Sequence, residues 1–204
     1  MVAMVVLSGL AAAPGATAAP ASTVLNARES YDGTQRLHYE YGPVNITPGQ
    51  NTITFTPNQL KPKVPGYITY FKPDLVYADG KGTVPRVDVI HLHHGVWLIN
   101  GQPTFAAGEE KTILSMPRGF GIPHKPADDW VLNTMLHNLT PTSTKVYVTY
   151  DIDFVPADAP GAAEIQPVYI SWMDVAGPSA YPVFDVQRGW GSGGTYTFPA
   201  DAQG

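Results

Sequence analysis

Three of the six histidines of this chain fall within four residues: His91, His93 and His94, in the stretch VDVIHLHHGVWLIN over 87–100. Imidazole is the commonest transition-metal ligand in proteins and titrates near neutral pH, so a cluster this dense points to metal binding. The stretch around it is apolar and reads as a buried strand. In a regular strand successive side chains face opposite sides. His91 and His93 would then share a face with Val89 and Trp97, and His94 would share the other with Ile90, Leu92, Val96 and Leu98. Gly95 follows directly, and glycine within a strand often marks a bulge that turns two consecutive side chains to one side. Two geometries are therefore open: a His91-x-His93 pair, or a His93-His94 pair made by a bulge.

A metal needs further ligands from elsewhere in the chain. His137 and His124 are the candidates, with Met135 two residues from His137. The chain has no Cys, which excludes disulfides, thiolate sites and Cys nucleophiles. Imidazoles with an optional thioether suit copper, which cycles between Cu(I) and Cu(II). Zinc is the alternative, since three His and a water form a catalytic zinc set. His38 stands alone and reads as a surface residue. Ser115 and Ser171 lack the context of a nucleophile elbow, which argues against a serine hydrolase. Asp128-Asp129 and Glu109-Glu110 read as cap and loop charges. Asn45-Ile46-Thr47 and Asn138-Leu139-Thr140 match the short glycosylation pattern.

The elements that must hold these residues are strands. Expected strands are Arg36–Tyr41, closed by Gly42-Pro43, then Thr52–Thr56, Tyr67–Phe71 with a continuation into 74–79, and the histidine strand. A loop over Gln102–Glu110, a short strand over Lys111–Met116 and a Gly/Pro-rich loop over Pro117–Pro126 follow. Trp130–Leu139 is the hardest segment. As a helix it stacks Trp130, Asn133 and His137; as a strand it aligns Asn133, Met135 and His137, and the β surroundings favour the strand. Lys145–Val155 alternates cleanly, with Val146, Val148, Tyr150, Ile152 and Phe154 on one side. Pro167–Val175 and Tyr181–Val186 complete the set. Short strands with many Gly/Pro turns indicate an all-β fold, a jelly-roll-like antiparallel β-sandwich.

The chain has 204 residues, 20 Gly, 20 Pro, only 14% charged residues and a net charge of −5. That is enough for one large β domain. With no basic block, nucleic acid is excluded as a partner, and no apolar run is long enough to span a bilayer. Met1–Ala13 is apolar and runs into the small-x-small pattern Ala16-Thr17-Ala18, which reads as a signal peptide without its usual basic start. The expected organisation is a signal peptide over 1–21, truncated at its start, a sandwich over 22–190 and a linker-like tail over 191–204. The expected compartment is extracellular.

HLHHGVW, a Gly/Pro loop, a strand with histidine in LHN and the strand KVYVTYDIDF together resemble the first, electron-transfer domain of the copper type II ascorbate-dependent monooxygenases. Peptidylglycine α-hydroxylating and dopamine β-monooxygenases are the known members, and the stretch is also similar to stress-upregulated nodulin proteins. The resemblance covers roughly residues 65–155. It implies that His93 and His94 match the family's His-His pair, and His137 the third ligand of a copper that takes an electron from a small reductant such as ascorbate. It further implies a second copper domain, where O₂ reacts, that this chain does not carry. The family's disulfides are absent, and His91 has no counterpart, so it is expected as an extra ligand or an orienting residue. A rival reading is a cupin-like metal enzyme using His91, His93 and His124, although no Glu follows at the expected short spacing. A third is a non-catalytic carbohydrate- or surface-binding sandwich, suited to 11 Tyr and 4 Trp.

Overall fold

A computed structural model describes residues 28–170. The signal-peptide segment, the strand expected at Tyr181–Val186, most of Pro167–Val175 and the tail over 191–204 lie outside the described residues. The strands are β1 (Gln35–Ile46), β2 (Asn51–Thr56), β3 (Gly66–Tyr77), β4 (Ile90–Ile99), β5 (Gln102–Gly108), β6 (Leu114–Ser115), β7 (Phe120–His124), β8 (Trp130–Asn138), β9 (Thr144–Pro156) and β10 (Gln166–Pro167). One turn of 3₁₀-helix covers Pro160–Glu164. The strands form two sheets. One runs β1-β9-β3-β7-β10 with β6 also on β3, and the other runs β2-β8-β4-β5. All pairings are antiparallel except β10 with β7. The fold is an all-β sandwich.

Strand alternation explains the layering. β9 turns Val146, Val148, Tyr150, Ile152 and Phe154 inward, as its sequence dictates, and β8 does the same with Trp130, Leu132 and Leu136. The two inner faces meet on an aromatic group. Phe71 of β3 stacks on Phe105 of β5 at 4.1 Å between ring centres and meets the edge of Trp97 of β4 at 4.9 Å. Burial of rings this large dominates core energetics.

Several elements depart from expectation. Gln102–Glu110 is not a loop. Asn100 and Gly101, with φ of 52° and 79°, form a two-residue hairpin between Ile99 and Gln102, which pair directly. Both central residues at positive φ are what this hairpin type requires, and Asn-Gly is its strongest sequence signal. Beyond it Phe105 and Ala107 alternate inward as β5. Pro117–Pro126 also contains a strand, β7, despite its Gly and Pro. A Cβ on Gly121 would lie 2.9 Å from Ile165 Cγ2 and Tyr67 Cβ, so the glycine there permits close packing. Gly42-Pro43 does not end β1; the strand resumes at Val44 after a register shift. The histidine strand begins at Ile90, since 87–89 form a turn held by Ile90 N–H donating to the Arg86 carbonyl.

Candidate metal centre

The bulge decides where the histidines point. β4 pairs Leu92 with Leu136 and then His94 with Met135, which leaves His93 as the one residue without a partner in the ladder. Ile90 and Leu92 face the core before this point; Gly95, Trp97 and Ile99 do so after it. Counting between them puts His91, His93 and His94 all on the outer face of the four-stranded sheet. The bulge therefore lies one to two residues ahead of Gly95. Gly95 itself faces inward, where a Cβ would meet Trp97 Cζ3 at 3.1 Å and Leu92 Cδ2 at 3.2 Å. β8 is a regular strand, and Asn133, Met135 and His137 lie on the same outer face, directly beside β4.

The side chains converge in pairs. His91 and His137 are cross-strand partners, with His91 Nε2 3.0 Å from His137 Nδ1. His91 Nδ1 lies 2.7 Å from the Val87 carbonyl oxygen, which can only accept, so Nδ1 carries the proton. His137 Nε2 lies 2.9 Å from Asn51 Oδ1, which also only accepts, so that nitrogen is the donor. In the neutral rings both remaining nitrogens then carry lone pairs, and these face each other at 3.0 Å. Such an arrangement is repulsive unless a proton or a bound cation sits between the rings. His137 has its pKa lowered, first by burial and then by the neighbouring His91 and His93, which favours its neutral form.

The other two histidines flank this pair. The His93 ring is 4.6 Å from His137 and 5.8 Å from His94, and the His91 and His137 rings are 4.9 Å apart. Two imidazoles on one ion, each at the usual metal–nitrogen distance, have ring centres about 4.5–6.4 Å apart. His94 Nε2 meets Asn133 Oδ1 at 3.3 Å. Among the described residues no three His, Asp or Glu side chains are already drawn together as a complete metal-ligating group. Completing one needs rotation of exposed side chains, and His93 is exposed.

Sequence reasoning missed three participants. Asn51, at the start of β2, is brought to His137 by strand pairing. Asn133 holds His94. Glu109, expected as a loop charge, places Oε1 3.2 Å from His91 Nε2. Only the β5 hairpin, hidden in Asn100-Gly101, could have signalled Glu109's return to the histidine strand.

His124 is not part of the cluster. It lies on β7 in the other sheet, 2% exposed, packed edge-on against Trp130 and Phe154. Trp130 is seven residues from His137 along β8, roughly 23 Å. His124 Nε2 donates to the Pro62 carbonyl at 2.8 Å. Its Nδ1 lies 3.4 Å from Asp128 Oδ2 and has no hydrogen-bond partner. The ligand set His91, His93 and His124 is therefore not assembled. His38 is a surface residue bonded to Asp151 at 2.7 Å. Asn138 is fully buried, with Nδ2 donating to the Ile46 and Thr142 carbonyls, so its glycosylation pattern falls on an amide already in use. Asn45 is exposed.

Comparison with family models, with curated proteins and with solved structures gives no match. Among the described residues no helix is long and apolar enough to cross a membrane.

Proposed function

We propose that this chain is a secreted copper-binding sandwich whose metal sits on the outer face of the four-stranded sheet, held by His91 and His137 with His93 and His94 as further ligands. The observation that carries this reading is the approach of His91 Nε2 to His137 Nδ1 at 3.0 Å, with the other nitrogen of each ring already facing an acceptor. Two ligand nitrogens on one ion, at about 2.0–2.1 Å from it, are separated by about 2.9–3.4 Å. The outer partners fit as well: metal-ligating histidines donate their second N–H to a carbonyl or similar acceptor, as His91 does to Val87 and His137 to Asn51. Met135, opposite His94, adds a soft donor to the same face.

Copper there would supply a one-electron couple, and its outward position would let a small-molecule reductant approach. This agrees with the resemblance to the electron-transfer domain of copper monooxygenases, with one change. His91, which has no family counterpart, pairs with His137 more closely than the expected His93-His94 ligands do. Hydroxylation would require a second copper domain; this sandwich would carry or transfer one electron.

Titration of metal-free protein with Cu(II) and with Cu(I) tests this. One ion per chain is expected, and the double substitution His91→Ala, His137→Ala should weaken binding by at least about 100-fold, beyond the loss typical of an outer-partner change. Unchanged uptake in the double variant sinks the proposal. Absence of uptake, with a doubly protonated His91 ring by nitrogen NMR, would instead make the cluster a proton-sharing hydrogen-bond network.

A further inference from the structure

Glu109 and Glu110 are adjacent carboxylates with different surroundings. Glu110 closes the turn after β5. Its Oε1 accepts from Gly108 N–H at 3.0 Å and from Thr112 Oγ1 at 2.6 Å. Glu109 is the other central residue of that turn, and its half-exposed side chain extends over the histidine face, 3.2 Å from His91 Nε2. The ladder explains its reach: Gly108, the last residue of β5, pairs with His94, so the next residue emerges beside the cluster.

We propose that Glu109 is a metal ligand: His91, His137 and Glu109, not drawn together as a complete group without an ion, close on a divalent cation by a turn of the half-exposed Glu109 side chain. This rests on the histidine face being a metal site. The separations of 3.0 and 3.2 Å from His91 Nε2 match neighbouring ligands about 2.0–2.2 Å from a common ion. Two imidazoles and a carboxylate are a borderline-to-hard set, suited to Cu(II), Zn(II), Fe(II) or Co(II), and a hard oxygen disfavours Cu(I). Glu109 therefore biases the face toward the divalent state. His93 and Met135 would compete for the remaining positions.

The test uses the full chain, metal-free, titrated with Co(II) and followed by visible absorption. One Co(II) per chain is expected for the wild type. Glu109→Gln should bind at least about tenfold more weakly, with its absorption bands displaced, and Glu110→Gln should stay within about twofold of wild type. Glu110→Gln controls for disturbance of the turn. Unchanged affinity and spectrum in Glu109→Gln would overturn the proposal, as would equal weakening in both variants. A wild type that takes up no cobalt overturns the metal reading of the face itself, which is a separate result.

Discussion

His91 and His124 are both buried, 8% and 2% exposed, yet their ring nitrogens meet different partners. His91 has one nitrogen fixed by a carbonyl and the other turned to a second imidazole and a carboxylate. His124 has one nitrogen fixed by a carbonyl and the other unpaired inside the sandwich. Burial is the largest influence on His124 and pushes its pKa below the ordinary value, with Asp128 and the Pro62 bond opposing and Lys61 assisting. The unfolded chain therefore takes a proton first as pH falls below about 6.5, and the native state binds fewer protons there. His124 thus destabilises the fold as pH drops from about 6.5 toward its depressed folded value, below which its contribution levels off. His38, whose pKa is raised mainly by its bond to Asp151, acts in the opposite sense. Denaturant midpoints at neutral and mildly acidic pH should fall less in His124→Gln than in wild type. Equal acid sensitivity in the two would show that His124 does not carry it.

At the scale of elements, much of the architecture was legible. β9 announces itself by alternation, β3 by its aromatic and β-branched residues and β4 by its apolar run, while the choice of strand over helix for Trp130–Leu139 is settled by its pairing with both β2 and β4. β5 was missed because Phe105 and Ala107 are its only large or apolar inward residues and Gln102-Pro103-Thr104 reads as loop; the Asn100-Gly101 turn outweighed that composition. β7 was missed because its Gly and Pro read as loop, whereas Gly121 answers to close packing against Ile165 and Tyr67. The bulge was one of two geometries left open by the sequence, and its position could not be counted there, since Gly95 lies after it. Gly95 is needed for a different reason, the space beneath Trp97 and Leu92. Gly95→Ala should cost about 1–3 kcal/mol by overpacking, read as a lower denaturant midpoint. A neutral substitution would mean that Trp97 has room to move.

For the whole molecule, the beginning of the described chain is tied into the sandwich that holds the site. Arg28 Nε and Nη2 each lie 2.5 Å from an oxygen of Asp153, whose side chain is 1% exposed, and the guanidinium lies 4.3 Å above the Tyr70 ring. This joins the beginning of the described chain to β9, 125 residues on. Removing one partner of a buried pair leaves a charge without compensation. Arg28 is one-third exposed and Arg36 Nε remains 4.0 Å from the same carboxylate, so screening reduces the loss. Arg28→Ala should destabilise by roughly 1–3 kcal/mol, and adding Asp153→Asn should recover part of it. A melting temperature unchanged by Arg28→Ala would contradict this. The sheet opposite β9 leaves its outer face uncovered among the described residues, with Ile53 and Phe55 of β2 exposed beside the histidine cluster. That openness is what gives the cluster access to solvent.

The extra residue of β4 has a genetic consequence. If His93 were deleted, Leu92, His94 and Gly95 would still pair with Leu136, Met135 and Thr134, and in-out alternation would be restored along the whole strand. No core residue would change sides. Deleting this codon should therefore leave the fold intact, and a single in-frame deletion should take His93 from the face while His91, His94 and His137 keep their sides. The deletion variant should keep its melting temperature within a few degrees, consistent with about 1 kcal/mol or less, while losing one potential ligand. A collapse in stability on deleting His93 would show that the bulge serves the fold after all.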